Sequence, residues 1–449
     1  MSIDFLLDVW LAHSATEAII SKDQSYSYGW LLDRCRYWQQ RIAAEQIERG
    51  TVTVVIGDFS PDSIALFVAL AGHGNILVPL TWSTREKNAH FIELAQAEVC
   101  FRFDDNDVAL VERRPTKARH PIYEQLRERD HPGLVLFSSG STGDAKAAVH
   151  DLVPLLEKFK VPRHRLRTVT FLLYDHIGGI NTMLYTLSNA GCLVTLQDRS
   201  PEEVLRVVEQ HRVELLPTSP TFLNLILIGE AYRRYDLSSL RTITYGTEPM
   251  SRALLKRLHE LFPQVSLRQT YGLSEVGILR SKSISSDSLW VKIGGEDYET
   301  RVVDHVLEIK AKSAMLGYLN APSPFTADGW LRTGDAVEVK GEYLKILGRK
   351  SELINVGGEK VYPTEIESVI SELPSVANVT VYGEKNAITG QIVCADVTPA
   401  TIMSELSLRD FIASIKRHCR EKLQNYKVPV KINIVEDRQY SDRFKKVRK

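Results

Sequence analysis

Short apolar runs alternate with segments of helical period through most of this chain. Residues 51–56 (TVTVVI) are mostly β-branched and too few for a helix, so they predict a buried strand. Ser60-Pro61-Asp62 then supplies an N-cap and a first-turn proline, and predicts a helix through about residue 71. Residues 76–78 return to strand character. The rhythm recurs at 169–173, 193–196, a helical stretch at 201–211, then 215–217 and 242–245. Such alternation predicts an α/β chain of layered, mostly parallel sheets with helices on both faces.

The pattern changes after about residue 289. Segments 302–303, 306–309 and 343–346 read as hairpin strands of a β-barrel-like region. Beyond Arg349 a smaller α+β unit follows, with helices at 364–371 and 407–424 and strands at 376–381 and 392–397. The expected division is a large N-terminal domain, residues 1–348, and a small C-terminal domain, residues 349–449.

Composition narrows the function classes. The 449 residues carry 56 basic and 56 acidic side chains, a formal net charge of zero, so no global basic field exists to hold nucleic acid. The five cysteines (Cys35, Cys100, Cys192, Cys394 and Cys419) are widely spaced, which argues against a disulfide framework or a zinc site and fits a reducing, cytoplasmic setting. The most apolar stretch, 63–80, is interrupted by His73, Asn75 and Pro79 and is too short to span a bilayer. The first residues lack the basic start of a signal peptide.

The strongest chemical signal is residues 134–147, LVLFSSGSTGDAKA. An apolar strand runs into Ser138, Ser139, Gly140, Ser141, Thr142 and Gly143, followed by Lys146. Glycines let backbone N–H groups turn toward an anion, hydroxyls add donors, and the lysine adds charge, so the loop predicts a phosphate cradle. It is not the GxxxxGK[ST] loop of P-loop nucleotidases.

With this loop, five further blocks in order resemble the adenylate-forming superfamily: acyl- and aryl-CoA synthetases, nonribosomal peptide adenylation domains and luciferases. They span nearly the whole chain. YGTEPM at 245–250 resembles the stretch that lies along adenine, implicating Gly246, Thr247 and Glu248. QTYGLSEVG at 269–277 resembles the family's YGxTE block, with Ser274 in place of threonine. The resemblance implies that Tyr271 and Gly272 meet adenine, Ser274 the α-phosphate and Glu275 a Mg²⁺ ion. GWLRTGD at 329–335 implies Asp335 on the ribose hydroxyls. In GRKSELINVGGEK from residue 348, Arg349 matches a ribose- and phosphate-contacting arginine. Ser351 stands where the hinge residue is usually Asp or Lys, and Gly357 and Gly358 match the loop used in thiol transfer. In the last block, SDRFKKVRK, Lys446 takes the catalytic lysine position, with Lys445 replacing glycine and Tyr440 replacing proline; a solvated basic tail is the competing reading.

His176-Ile-Gly-Gly179 resembles an HxGG segment that lines the acid pocket, implicating His176, Gly178 and Gly179. Asp175 either faces that pocket, where it would pair with an amine, or faces the backbone, and a packed core histidine remains the alternative for His176. The resemblance implies ATP-dependent activation of a small-molecule carboxylic acid to an acyl-adenylate, with Mg²⁺ as cofactor. Transfer to a thiol follows, on coenzyme A or the phosphopantetheine of a separate carrier protein. The small domain would swing between the two steps. A catalytically impaired nucleotide-binding relative and an adenylate-former with a non-thiol acceptor are the alternatives.

Overall fold

The computed structural model describes residues 3–139, 145–401, 405–435, 440–441 and 444–446. Two seven-stranded sheets form the larger part. One runs, in spatial order, Gly317–Tyr318, Ala145–Asp151, Gly133–Ser139, Ile76–Thr81, Val52–Gly57, Val99–Phe103 and Ala109–Arg113. Its four inner strands are parallel. The other runs Ser266–Gln269, Thr242–Tyr245, Leu215–Thr218, Arg167–Val169, Cys192–Val194, Glu17–Ser21 and Gln24–Ser27, and is parallel except at the last pair. Helices Asp4–Ala12, Tyr28–Ala44, Pro61–His73 and Ile177–Ser188 lie in the apolar core shared by the two sheets. The expected α/β architecture is therefore present.

Local rules explain the element ends. Ser60 opens Pro61–His73 with a reciprocal cap: its hydroxyl accepts Ser63 N–H, and the Ser63 hydroxyl accepts Ser60 N–H. Gly74, left-handed at φ 91°, closes the helix. The run 169–173 is different. Its strand is Arg167–Val169, and the remaining apolar residues cross the end of the sheet as a loop. Phe171 and Leu173 are buried there, so burial rather than ladder pairing accounts for their hydrophobicity.

A six-stranded antiparallel sheet follows, its strands between Ser281 and Arg349, with its own core around Leu307, Ile309, Val337 and Leu344. A further five-stranded sheet holds Ile354–Val356, Glu359–Val361, Val376–Asn386, Gly390–Pro399 and Lys431–Ile434. Helices Pro363–Ile370 and Glu405–Lys422 pack on it and complete a separate core that starts at Ile354. Polar contacts between this small α+β unit and the large one include Asn224 Nδ2 donating to Ala377 O at 3.2 Å and Arg252 N–H to the Ser368 hydroxyl at 3.1 Å. Among the described residues no helix is long and apolar enough to cross a membrane. All five cysteines are buried and unpaired; burial pushes the Cys35 thiol up to about 12, which fits packing rather than nucleophilic chemistry.

Candidate active site

The carboxyl ends of the parallel strands Arg167–Val169, Leu215–Thr218, Thr242–Tyr245 and Ser266–Gln269 open onto one region, the usual place for a ligand in a parallel sheet. Two chains of side-chain contacts converge there.

The first begins at the Ser/Gly segment. Strands Gly133–Ser139 and Ala145–Asp151 form a hairpin around it, with Ser138 opposite Lys146. Gly140, Ser141, Thr142 and Gly143 lie outside the described residues. The Lys146 ammonium sits 5.4 Å from the centre of the Tyr318 ring, and Tyr318 donates its hydroxyl to Glu275 Oε1 at 2.5 Å. Burial, followed by the Glu275 charge, raises the Tyr318 phenol well above its ordinary value, so it stays a donor. Glu275 lies in the turn between Tyr271–Leu273 and Gly277–Leu279. The buried His150 is hydrogen-bonded through Nε2 to the carbonyl oxygen of Ser274 at 2.5 Å and braces that turn from beneath. Gly272 allows the hairpin to close, because a Cβ there would lie 2.7 Å from Gly277 O.

The second chain joins Tyr271, Asp335 and Arg349. Asp335 is buried and fully engaged: Tyr271 donates its hydroxyl to Oδ2 at 2.5 Å, and Arg349 Nε lies 2.8 Å from Oδ1. Arg349 also donates to Thr333 O at 2.8 Å. Burial raises the Asp335 carboxyl from its ordinary value and the Arg349 guanidinium opposes that rise. The two chains are electrostatically coupled, since Glu275 acts on Asp335 and Arg349 on Tyr318.

Just beyond the ends of strands Arg167–Val169 and Thr242–Tyr245 lies a small apolar cleft, about 20 Å³ in its enclosed part and about 310 Å³ with the space open to solvent. Phe171, Leu172, Leu173, His176, Arg199 and Thr247 line it from the large unit, and Phe444 and Lys445 from the chain's last segment. His176 Nδ1 accepts Gly178 N–H at 3.0 Å and caps helix Ile177–Ser188, which places the proton of the neutral ring on Nε2. Gly179 is required by packing, because a Cβ would fall 2.0 Å from Leu173 O; a Cβ on Gly178 would meet Leu172 Cδ1 at 2.8 Å. Asp175 is buried and accepts the Thr81 hydroxyl at 3.5 Å; it is not among the residues lining the cleft. Thr247 has φ +70°, a left-handed conformation that is costly for a β-branched residue. Gly246 packs on Thr270, with no room for a Cβ.

Two placements differ from sequence expectation. Glu248 bridges rather than lining the cleft: Oε1 accepts Thr221 N–H at 2.7 Å and Oε2 accepts Lys446 N–H at 3.0 Å. Lys446 is not among the residues lining the cleft, and its ammonium lies 3.1 Å from Glu367 Oε2 and 2.8 Å from Val379 O, both in the small unit. Tyr318, His150, Phe444 and Lys445 complete the region without having been singled out as site residues, and the local sequence around Tyr318 and His150 holds no signal for them.

Comparison with known proteins gives the family. Residues 8–313 match the family described as AMP-binding enzyme, and residues 365–443 match the AMP-binding enzyme C-terminal domain. The chain is 28% identical over 436 residues to an indoleacetate–CoA ligase of Aromatoleum aromaticum, covering 85% of each protein. It is 25% identical to 4-coumarate–CoA ligase-like 9 of Arabidopsis thaliana, covering 88% of this chain and 80% of that one. Similar solved structures include the anthranilate CoA ligase AuaEII in complex with anthranoyl-AMP (TM-score 0.80, 19% identity, 97% of this chain and 93% of that one). Another is the amide bond synthetase McbA from Marinactinospora thermotolerans (TM-score 0.77, 20% identity, 97% and 96%).

Proposed function

Since the chain belongs to the AMP-binding enzyme family, we propose that it is an AMP-forming acid–thiol ligase that activates a small carboxylic acid with ATP and passes the acyl group to coenzyme A or a carrier-bound phosphopantetheine. The observation that supports this reading is that residues from separate sequence blocks bond to one another, Tyr318 to Glu275 with Lys146 over its ring, and Asp335 to both Tyr271 and Arg349.

A carboxylate is a poor electrophile, because its leaving group would be oxide. Attack of its oxygen on the α-phosphorus of ATP forms a mixed anhydride and releases pyrophosphate. A thiol then attacks the acyl carbon and AMP leaves. In the first step negative charge builds on the phosphates, and preorganised cations stabilise it. Lys146 and the Ser138–Gly143 segment face the phosphates in this assignment, with the Ser274 turn at the α-phosphate. Tyr271, Gly272, Gly246 and Thr247 border the nucleotide and the acid, and Asp335 with Arg349 takes the ribose. A ribose diol reaches Asp335 only by sharing or displacing the Tyr271 and Arg349 bonds, so nucleotide binding should reorganise that pair.

Glu275 suits Mg²⁺. Among the described residues no cluster of three or more metal-ligating side chains exists, and Mg²⁺ is ordinarily held by one or two carboxylates plus phosphate oxygens and water. Tyr318 orients one carboxylate oxygen, and the other has no protein partner among the described residues. When bound, the ion would neutralise phosphate charge. His176, which lines the cleft, is assigned to the acid's side of the site. Of the two tail lysines, Lys445 at the cleft is assigned the charge-stabilising role, and Lys446, tied to Glu367, an anchoring one.

The small unit is proposed to be a mobile C-terminal domain, residues 349–449, turning about Arg349–Ser351 between the steps. No Cβ would meet an obstacle at Gly357 or Gly358, both at positive φ, so the loop is sterically open for a thiol arm. A cytoplasmic setting, with ATP and coenzyme A at hand, completes the reading. The test is ATP–pyrophosphate exchange across a panel of aryl and alkyl acids, followed by thioester detection with coenzyme A. Exchange with an acid and thioester formation are expected. Nucleotide binding without exchange for any acid would overturn the enzymatic reading, and adenylate without thioester would redirect the acceptor.

A further inference from the structure

The last segment docks into the large unit through an aromatic ring. The Phe444 ring centroid lies 5.3 Å from those of both Phe171 and Phe222, and it stacks on Tyr440 at 5.7 Å with the planes 13° apart. Its carbonyl oxygen accepts the Ser219 hydroxyl at 2.7 Å, the same hydroxyl that caps helix Pro220–Ile228. The backbone turns tightly here. Phe444 N–H donates to Ser441 O at 2.8 Å, Ser441 N–H donates to Lys445 O at 2.9 Å, and Tyr440 pairs with Lys446. Phe444 itself sits at φ +50°, the left-handed position that glycine fills by default in such turns. A bulky residue held there needs compensation, and the aromatic cleft supplies it.

The next two residues complete the device. Lys446 straddles the units: its N–H bonds Glu248 of the large unit, while its ammonium bonds Glu367 of the small one. Lys445 lies between these fixed neighbours and lines the cleft with His176 and Thr247. We propose that Phe444 is a positioning residue, an aromatic latch that docks the small unit for adenylate formation by setting Lys445 at the cleft, and whose release precedes thiol transfer. This rests on the ligase reading above, because only that reading requires the two orientations.

Removing the ring should affect the half-reactions unequally. Displacing a charge-stabilising group by an ångström can cost about 100-fold in rate. In F444A, acid-dependent ATP–pyrophosphate exchange should fall about 100-fold in kcat, with the KM for ATP changed less than threefold. Thiol transfer from a supplied acyl-adenylate should proceed at the wild-type rate or faster. F444Y, which keeps the ring, should restore exchange to within about threefold, whereas F444G, which relieves the left-handed backbone but has no ring, should not. Equal losses in both half-reactions, or unchanged exchange in F444A, would overturn the proposal.

A second measurement is independent of activity. Trypsin cleavage within the last segment, followed by mass spectrometry on the full chain, should be at least tenfold faster in F444A than in wild type, with the large unit intact. Equal cleavage rates would refute docking by the ring whatever the enzyme assay gives. If wild type shows no exchange with any acid while F444A still frees the tail, the ligase reading fails and the latch stands as a docking contact alone, without its catalytic purpose.

Discussion

Lys445 and Lys446 are adjacent, yet the proposal gives them opposite work, and replacing each in turn separates the assignments. Lys446 Nζ lies 3.1 Å from Glu367 Oε2; the Glu367 side chain is only 4% exposed and that of Lys446 20%. Glu367 also accepts Val381 N–H at 2.9 Å, so it is held in place when the lysine goes. Truncating one partner of a buried pair typically costs about 3–5 kcal/mol, because the other charge stays buried and uncompensated. Partial exposure of Lys446 sets the lower end, about 3 kcal/mol, for K446M. With a urea m-value of about 1.5 kcal/mol/M for a unit of this size, the midpoint of the small unit's transition should fall by about 2 M. The double variant E367Q/K446M should recover at least half of that, since a neutral amide needs no counter-charge. K445A should leave the midpoint nearly unchanged, within about 0.5 kcal/mol, while acid-dependent ATP–pyrophosphate exchange drops about 100- to 1,000-fold. The assays are urea unfolding followed by fluorescence and exchange at saturating ATP. The reverse pattern, a stable K446M without exchange beside an active K445A, would refute the division of labour and return the catalytic role to Lys446.

Three other perturbations follow from named contacts. Burial is the main cause that pushes the Asp107 carboxyl up to about 6, partly offset by the Ser60 hydroxyl and Asp62 N–H. A raised folded-state value means that its stabilisation is complete below pH 3.8 and is lost as pH rises through about 6, so the stability of D107N relative to wild type should be greater at pH 8 than at pH 4 by about 2–3 kcal/mol; the same difference at both pH values in urea titrations would dismiss this cause. E275Q keeps an acceptor for Tyr318 but loses its charge, so exchange should fall about 100-fold and half-maximal rate should need roughly tenfold more Mg²⁺, with melting unchanged; an unaltered Mg²⁺ titration would remove Glu275 from the metal. G179A drives a Cβ against Leu173 O, a backbone atom, whereas in G178A the nearest atoms are side-chain ends, so G179A should cost about 2–3 kcal/mol and raise the KM for the acid through His176, and G178A clearly less; equal losses in denaturation would show that the helix start absorbs both.

What was legible in the sequence was local. Ser60, Pro61 and Gly74 bound a helix through caps that a few neighbouring residues determine, and TVTVVI is too short and too β-branched for anything but a buried strand. Tyr271, Asp335 and Arg349 stand in contiguous blocks that a sequence match can pick out, and the structure bonds all three together. An apolar residue that serves a distant partner carries no such local sign. The run 169–173 cannot reveal by its own hydrophobicity that Phe171 leaves the ladder to meet Phe222 and Phe444. The tail shows the same limit more sharply. Matching by position put Lys445 where glycine is usual, but the residue that adopts the left-handed backbone is Phe444, one place earlier. That one-residue shift decides which lysine lines the cleft. It is set by Ser219, Glu248 and Glu367, between 79 and 225 residues away in sequence. A motif constrains which residue types are present; three tertiary contacts set which of them stands at the cleft.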